Sequence, residues 1–188
     1  TVTRRRSAEK TARLKTLWRA CPICAGKQGE VLHEQRFGVP DDYPLPSEYD
    51  VVACSVCGMV FADTPATQAD YDEFYARCSI YQNPAGSSGG ETPAWDVARL
   101  EEAAKLIARC AHSRDARILD VGCANGGLLQ ALARMGFGNL AGVDPSLVCV
   151  ENTRANGFEA YRGEVTRLPA EIGHFDVVIL TSVLEHIL

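Results

Sequence analysis

Nothing in these 188 residues approaches the roughly 18 consecutive apolar side chains that a membrane-spanning helix requires, so no such helix is expected. Arg4, Arg5 and Arg6 are not followed by the apolar stretch of a secretory signal, which makes the cytoplasm the expected compartment. No internal repeat is present. Basic side chains are outnumbered as well, 19 Lys and Arg against 24 Asp and Glu, for a formal charge of -5. Seven of those 19, with a single acid, fall in the first 19 residues, so the remainder carries 12 against 23, or -11. A body of that sign repels a phosphate backbone, and nucleic acid is disfavoured as a partner unless the basic N-terminal segment delivers it. The plainer reading of that segment is a solvated helix face or a mobile tail. With 46% hydrophobic and 23% charged residues the chain has the balance of a soluble globular protein, and its length suits one domain plus a small accessory module.

Cysteine, by contrast, is plentiful. Eight cysteines would suggest disulfides in a secreted chain, but without a signal the two Cys-x-x-Cys pairs read as metal ligands. Cys21-Pro-Ile-Cys24 and Cys54-Ser-Val-Cys57 each set two thiolates at i and i+3, followed by glycine at Gly26 and Gly58. Both sulfurs of such a turn reach one tetrahedral ion at about 2.3 Å, and two turns close the shell, so a structural zinc is expected. The 29 residues between the pairs (25 to 53) exceed the usual ribbon spacing, which predicts a looped-out insertion. Cys78, Cys110, Cys123 and Cys149 show no pairing pattern.

Periodicity gives the organisation. A basic helix or tail is expected over 1–20, with Leu14, Leu17 and Trp18 as the apolar positions of a helix from Ser7 to Arg19. The zinc module follows over 21–62, with β-structure around Tyr49 to Ala53 and Val60-Phe61. A helical connector spans 63–95. In it Tyr71, Phe74 and Tyr75 form a stripe of core character, and residues 83 to 90 have the composition of a flexible linker. From 96 to 188, Val97, Leu100, Ala104, Ile107 and Cys110 mark an amphipathic helix. Short apolar strands at Ile118 to Val121, Leu140 to Val143, Phe158 to Tyr161 and Phe175 to Leu180 then alternate with helices at Gly126 to Met135 and Pro145 to Asn156. That rhythm implies an α/β domain with a parallel sheet covered on both faces.

Most of the chemistry lies in Ile118-Leu119-Asp120-Val121-Gly122-Cys123-Ala124-Asn125-Gly126-Gly127. Glycines where a strand meets a helix let the backbone turn sharply and approach a ligand at the helix N-terminus. The spacing Gly122-x-Ala124-x-x-Gly127 also admits a dinucleotide dehydrogenase. Asp120 separates the two readings: a carboxylate two residues before the first glycine opposes a pyrophosphate but favours the ammonium and sulfonium of S-adenosylmethionine.

At this point the sequence resembles the class I S-adenosylmethionine-dependent methyltransferases, whose first motif is an acid followed by Gly-x-Gly-x-Gly. Asp120, Gly122 and Gly126 match, and Ala124 replaces the middle glycine, a mild departure if its φ stays negative. Leu140-Ala-Gly-Val-Asp144 ends the second strand with the acid that, by resemblance, holds both ribose hydroxyls. Arg162-Gly163-Glu164 before Leu168-Pro169 resembles the loop whose acid receives the adenine amino group. Phe175-Asp-Val-Val178 with Thr181-Ser-Val-Leu-Glu-His186 resembles the fourth-strand motif lining the methionine end. The resemblance thus implies a Rossmann-like parallel sheet with cofactor-binding residues Asp120, Gly122, Cys123, Ala124, Asn125, Gly126, Asp144, Pro145, Glu164, Val165, Thr181 and Ser182. Bacterial enzymes of this broad type also begin with Cys-Pro-x-Cys, then Cys-x-x-Cys-Gly and a Tyr-rich helix, an order kept here from Cys21 to Tyr81.

Methyl transfer is an in-line displacement needing mainly alignment and exclusion of water, with acid-base help only where the acceptor must lose a proton. Glu185 and His186 are the clustered candidates for that help, against a role in supporting the fourth strand. A complete core of this class has seven strands, so a chain stopping at Leu188 is expected to lack much of the acceptor pocket, to leave an open edge at its fourth strand, and to turn over weakly or not at all. A small-molecule acceptor leads. A zinc-ribbon scaffold with a non-catalytic cofactor fold and an RNA methyltransferase gripping through Arg4 to Arg19 are the alternatives. The sequence does not fix the oligomeric state.

Overall fold

The computed structural model describes residues 13–40, 43–77 and 94–187. The chain forms two compact units that part between Thr67 and Gln68. In the first, β1 (Arg13–Thr16), β2 (Gln28–Arg36), β3 (Glu48–Cys54) and β4 (Val60–Asp63) make an antiparallel sheet in chain order. Leu17, Cys21, Val52, Cys54 and Phe61 form its buried cluster, with Val31 packed against it.

Two expectations change here. Arg13–Thr16 is a strand where apolar spacing predicted helix, because its ladder to β2 (Arg13 opposite Val31, Thr16 opposite Gln28) outweighs local preference. The fully buried Asp63 reinforces it: Trp18 and Arg19 donate backbone N–H groups to Asp63 Oδ1, and Lys15 Nζ lies 2.8 Å from the carboxylate. The long spacing between the cysteine pairs is likewise no loose insertion. β2 and β3 pair along their lengths, and Gly29 opposite Cys54 keeps the two Cys-x-x-Cys turns at one end of the hairpin. The expected start of the first helix (7–12), Cys78, Tyr81 and the linker (83–90) lie outside the described residues.

The second unit opens with α1 (Gln68–Arg77) and α2 (Ala94–Cys110). It continues with β5 (Ile118–Val121), α3 (Gly127–Arg134), β6 (Leu140–Asp144), α4 (Leu147–Ala155), β7 (Glu159–Arg162) and β8 (Val177–Leu180). All four strands are parallel, in the order β7-β6-β5-β8. Every residue of β5 and β6 is buried, as continuous apolar runs in a parallel sheet require. Leu100 and Ala104 of α2 and Leu128, Leu129 and Leu132 of α3 pack with Ile118 and Ile179 on one face. Leu119, Val121, Ala141 and Val143 on the other are closed by Ile172 of a short 3-10 turn, with Val165 and Phe175 packed against them. Both faces of the sheet are thus covered, the second by the segment from Val165 to Phe175 and its short 3-10 turn. Cys110, expected on the buried stripe of α2, is exposed, and the stripe runs through Asp96, Leu100 and Ala104. No described helix is long and apolar enough to cross a membrane.

Candidate functional site

The strand order reverses direction beside β5, where β6 lies on one side and β8 on the other. In an open parallel sheet the crevice outside the strand ends at such a point is the natural ligand site. The bend after β5 is built for close approach. Gly122 has φ +77, and a Cβ there would lie 2.6 Å from Val183 Cγ2. The Gly122 and Cys123 N–H groups both donate to Val143 O, at 2.7 and 3.0 Å, tying the bend to β6.

A cavity of about 240 Å³ opens there. Of the residues expected from the sequence, Asp120, Gly122, Cys123, Ala124, Asp144, Pro145, Glu164, Val165, Thr181, Ser182 and His186 line it. Following the strand order, the lining runs from the residues after β7, past Asp144 and Asp120, to those after β8. Asn125 and Gly126 do not line it. The Asn125 side chain, 1% exposed, accepts instead from Asn152 Nδ2 of α4 at 2.8 Å. His186, in a 3-10 turn (Leu184–His186), lies against Tyr75 of α1 with ring centroids 5.2 Å apart. Glu185 belongs to the same turn, and its side chain lies outside the described residues.

Two buried carboxylates dominate the electrostatics. Desolvation, with the Asp144 charge nearby and Arg99 opposing, pushes Asp120 up to about 7. Burial pushes Asp144 up to about 6 against two backbone donors, Ala124 N–H on Oδ2 and Ser146 N–H on Oδ1, each at 2.9 Å. Each oxygen of Asp144 keeps a further acceptor position. Cys123 is no nucleophile, since burial and the neighbouring carboxylates hold its thiol well above the ordinary value.

Arg99, Gln68, Asp72 and Tyr75 also line the cavity; none is among the site residues expected from the sequence, and Tyr75 is expected there only as part of a core stripe. Arg99 is the one Lys or Arg among the cavity-lining residues, and Asp96, fully buried beneath it, accepts from its Nη2 at 2.7 Å. The sequence did carry a signal for this pair, because Asp96 takes a place on the buried stripe of α2 that otherwise holds Leu100 and Ala104. The aromatic stripe of α1 is not core either. None of its residues is buried, and Tyr75 faces the cavity.

At Ala124 the mild departure expected of negative φ is not found, because φ is +46, in the region that favours glycine. A side chain there costs roughly 1–2 kcal/mol. Ala124→Gly is therefore expected to raise the stability of the second unit by about 1 kcal/mol, seen as a higher urea midpoint at unchanged slope.

The cysteine cluster occupies one end of the first unit. The sulfurs of Cys21, Cys24, Cys54 and Cys57 all lie within 4.8 Å of one another, with Cys21 to Cys57 at 3.6 Å and Cys24 to Cys54 at 3.5 Å. A tetrahedral ion at about 2.3 Å from each sulfur needs separations of about 3.8 Å. Both turns close alike, Ala25 N–H on Cys21 O and Gly58 N–H on Cys54 O, each at 2.9 Å. The amides of Cys57 and Val56 hold the Cys54 thiol down to about 6, favouring the thiolate a cation requires.

A family model described as a methyltransferase domain matches residues 95–188, which is 94 of 188 residues. Ubiquinone biosynthesis O-methyltransferase of Methylobacterium nodulans is 36% identical over 76 residues, 37% of this chain and 30% of that protein. Ribosomal protein L11 methyltransferase of Dechloromonas aromatica is 45% identical over 67 residues, 33% of this chain and 22% of that protein. The chain thus spans less than a third of the length of these relatives. The crystal structure of magnesium protoporphyrin IX methyltransferase from Synechocystis PCC 6803 with bound SAM aligns at a TM-score of 0.49 with 16% identity, over 63% of each chain.

Proposed function

This chain belongs to the methyltransferase-domain family of class I S-adenosylmethionine-dependent enzymes, and we propose that its second unit binds S-adenosylmethionine for methyl transfer to a small-molecule acceptor. The observation that carries the reading is the charge pattern of the cavity, two buried carboxylates with one guanidinium beside them. An adenosyl amino acid with a diol, a sulfonium, an ammonium and a carboxylate answers each of these groups. Asp144 would take the ribose hydroxyls, Asp120 would favour the ammonium and sulfonium, and Arg99 would receive the α-carboxylate. Glu164 would accept from the adenine amino group, while Thr181 and Ser182 line the methionine end. When bound, the cofactor supplies a methyl carbon already activated by its sulfonium. The chain's own part is to align and to exclude water. His186, held against Tyr75, would stand at the acceptor end and take a proton where the acceptor must lose one, with Glu185 of the same turn the second candidate for that role. The acidic charge balance and the names of the ubiquinone-biosynthesis relatives support a small acceptor.

Equilibrium dialysis at pH 7.5 tests this reading. One S-adenosylmethionine per chain and no retained NAD is the expected result. Retention of NAD alone would make the site a dinucleotide pocket, and retention of neither would favour a non-catalytic scaffold.

The four thiolates of the first unit would hold a zinc ion in a closed shell with no open position, a structural and not a catalytic site. Metal analysis is expected to find one zinc per chain, and Cys54→Ser or a strong chelator to abolish amide protection in β2 and β3. Unchanged protection after complete metal removal would contradict it.

A further inference from the structure

The bend that shapes the cavity has its far side on α4. Thr153 Oγ1 donates to Ala124 O at 3.0 Å, Asn152 Nδ2 to Asn125 Oδ1 at 2.8 Å, and Asn156 Nδ2 to Asn125 O at 3.1 Å. Gly126, at φ +80, leaves just the room that the Thr153 side chain fills, since a Cβ there would lie 3.1 Å from both Cγ2 and Oγ1. Three successive residues of the bend therefore rest on Asn152 and Thr153 of α4 and on Asn156 at its C-cap. The carbonyls of Ala124 and Asn125 precede α3 and belong to no strand ladder, and they are met by Thr153 of α4 and by Asn156 at its C-cap. On the cavity side, Asp144 accepts from Ala124 N–H. Ala124 is thus gripped through its N–H by β6 and through its carbonyl by α4, and it is the one non-glycine residue of the bend with positive φ.

We infer that Thr153, seconded by Asn152, is a positioning residue for the cofactor site: its hydroxyl holds Ala124 in the left-handed conformation and so sets the bend that the cofactor must meet. The inference rests on the cofactor reading above for its effect on affinity, but not for its effect on the bend. Glycine needs no such grip, because it adopts positive φ freely. A hydroxyl that merely satisfies a carbonyl would matter equally beside alanine or glycine. One that restrains Ala124 would matter chiefly beside alanine.

The test is a double-mutant cycle of Thr153→Val, which keeps the shape and removes the donor, with Ala124→Gly. It is read by S-adenosylmethionine affinity and, independently, by urea unfolding of the same proteins. Thr153→Val is expected to weaken binding about tenfold in the parent background and less than about twofold in the Ala124→Gly background, with Thr153→Ser restoring affinity. The unfolding data should show the same non-additivity, and Asn152→Ala should give a smaller loss of the same kind. Equal losses in both backgrounds, by either readout, overturn the inference. If the unmutated chain binds no S-adenosylmethionine, the cofactor reading fails, and the coupling in unfolding alone decides for or against the grip. Should Thr153→Val fail to fold, Thr153→Ser and Thr153→Ala in the two backgrounds carry the same comparison.

Discussion

Asp120→Asn is expected to make the ligand-free protein more stable at pH 8 and worse at binding S-adenosylmethionine, two opposite effects from one uncharged substitution. Asp120 is fully buried at the end of β5, and its carboxyl is raised to about 7 from an ordinary 3.8, desolvation being the main cause. A carboxyl whose folded value is raised is favoured in the fold while protonated. Its stabilising contribution is complete below about pH 4 and is lost as pH rises through 7. A rise of that size corresponds to about 4 kcal/mol withheld at pH 8. Asparagine carries no charge, so the urea midpoint of the variant should exceed that of the parent at pH 8, exceed it by less at pH 5, and match it only below about pH 4. The same change removes the attraction for an ammonium and a sulfonium, and about a hundredfold loss of affinity at pH 8 is expected. A variant that gained stability and kept its affinity would show that Asp120 is not what the ligand meets.

Arg99→Ala is expected to cost about a hundredfold in affinity and to move the pH dependence of binding upward. Two causes act together. The guanidinium is the fork offered to an α-carboxylate, and charge-assisted bonds of that kind exceed neutral ones about twofold. It also opposes the rise of the Asp120 carboxyl, so its removal should leave Asp120 protonated to higher pH. Arg99→Lys keeps the charge and loses the fork geometry, and an intermediate loss of about tenfold is expected. Arg99→Ala should also cost about 3 kcal/mol of stability, because Asp96 is fully buried and loses the guanidinium 2.7 Å away, whereas Arg99→Lys should cost less. Titration of each variant across pH 6 to 8 by calorimetry separates the direct contact from the effect on Asp120.

What was legible in the sequence was what local spacing encodes. The strand, glycine bend and helix from Ile118 to Arg134, the acids at 120 and 144, and the two cysteine pairs each announce themselves within a short stretch of chain. What was not legible depends on partners distant in the chain. Arg13–Thr16 became a strand because β2 lies beside it, and the extra length between the cysteine pairs became a hairpin because β2 and β3 pair along it. Ala124 takes a positive φ because Asp144 and Thr153, 20 and 29 residues onward, grip its two backbone groups. The Asn125 side chain accepts from Asn152, 27 residues onward, a contact that local spacing does not encode. Arg99 escaped notice because only the folded cavity reveals a lone cation among buried acids, although a buried Asp on an apolar stripe was its trace in the sequence.

A cation-bearing ligand is expected to displace protons from the two buried carboxylates, Asp120 near 7 and Asp144 near 6. Titrating S-adenosylmethionine calorimetrically in buffers of different ionisation enthalpy measures that exchange directly. Release of about 1.4 protons per ligand at pH 6, falling to about 0.3 at pH 7.5, is the predicted result. Binding at pH 6 with no proton released, or no binding at either pH, would contradict it.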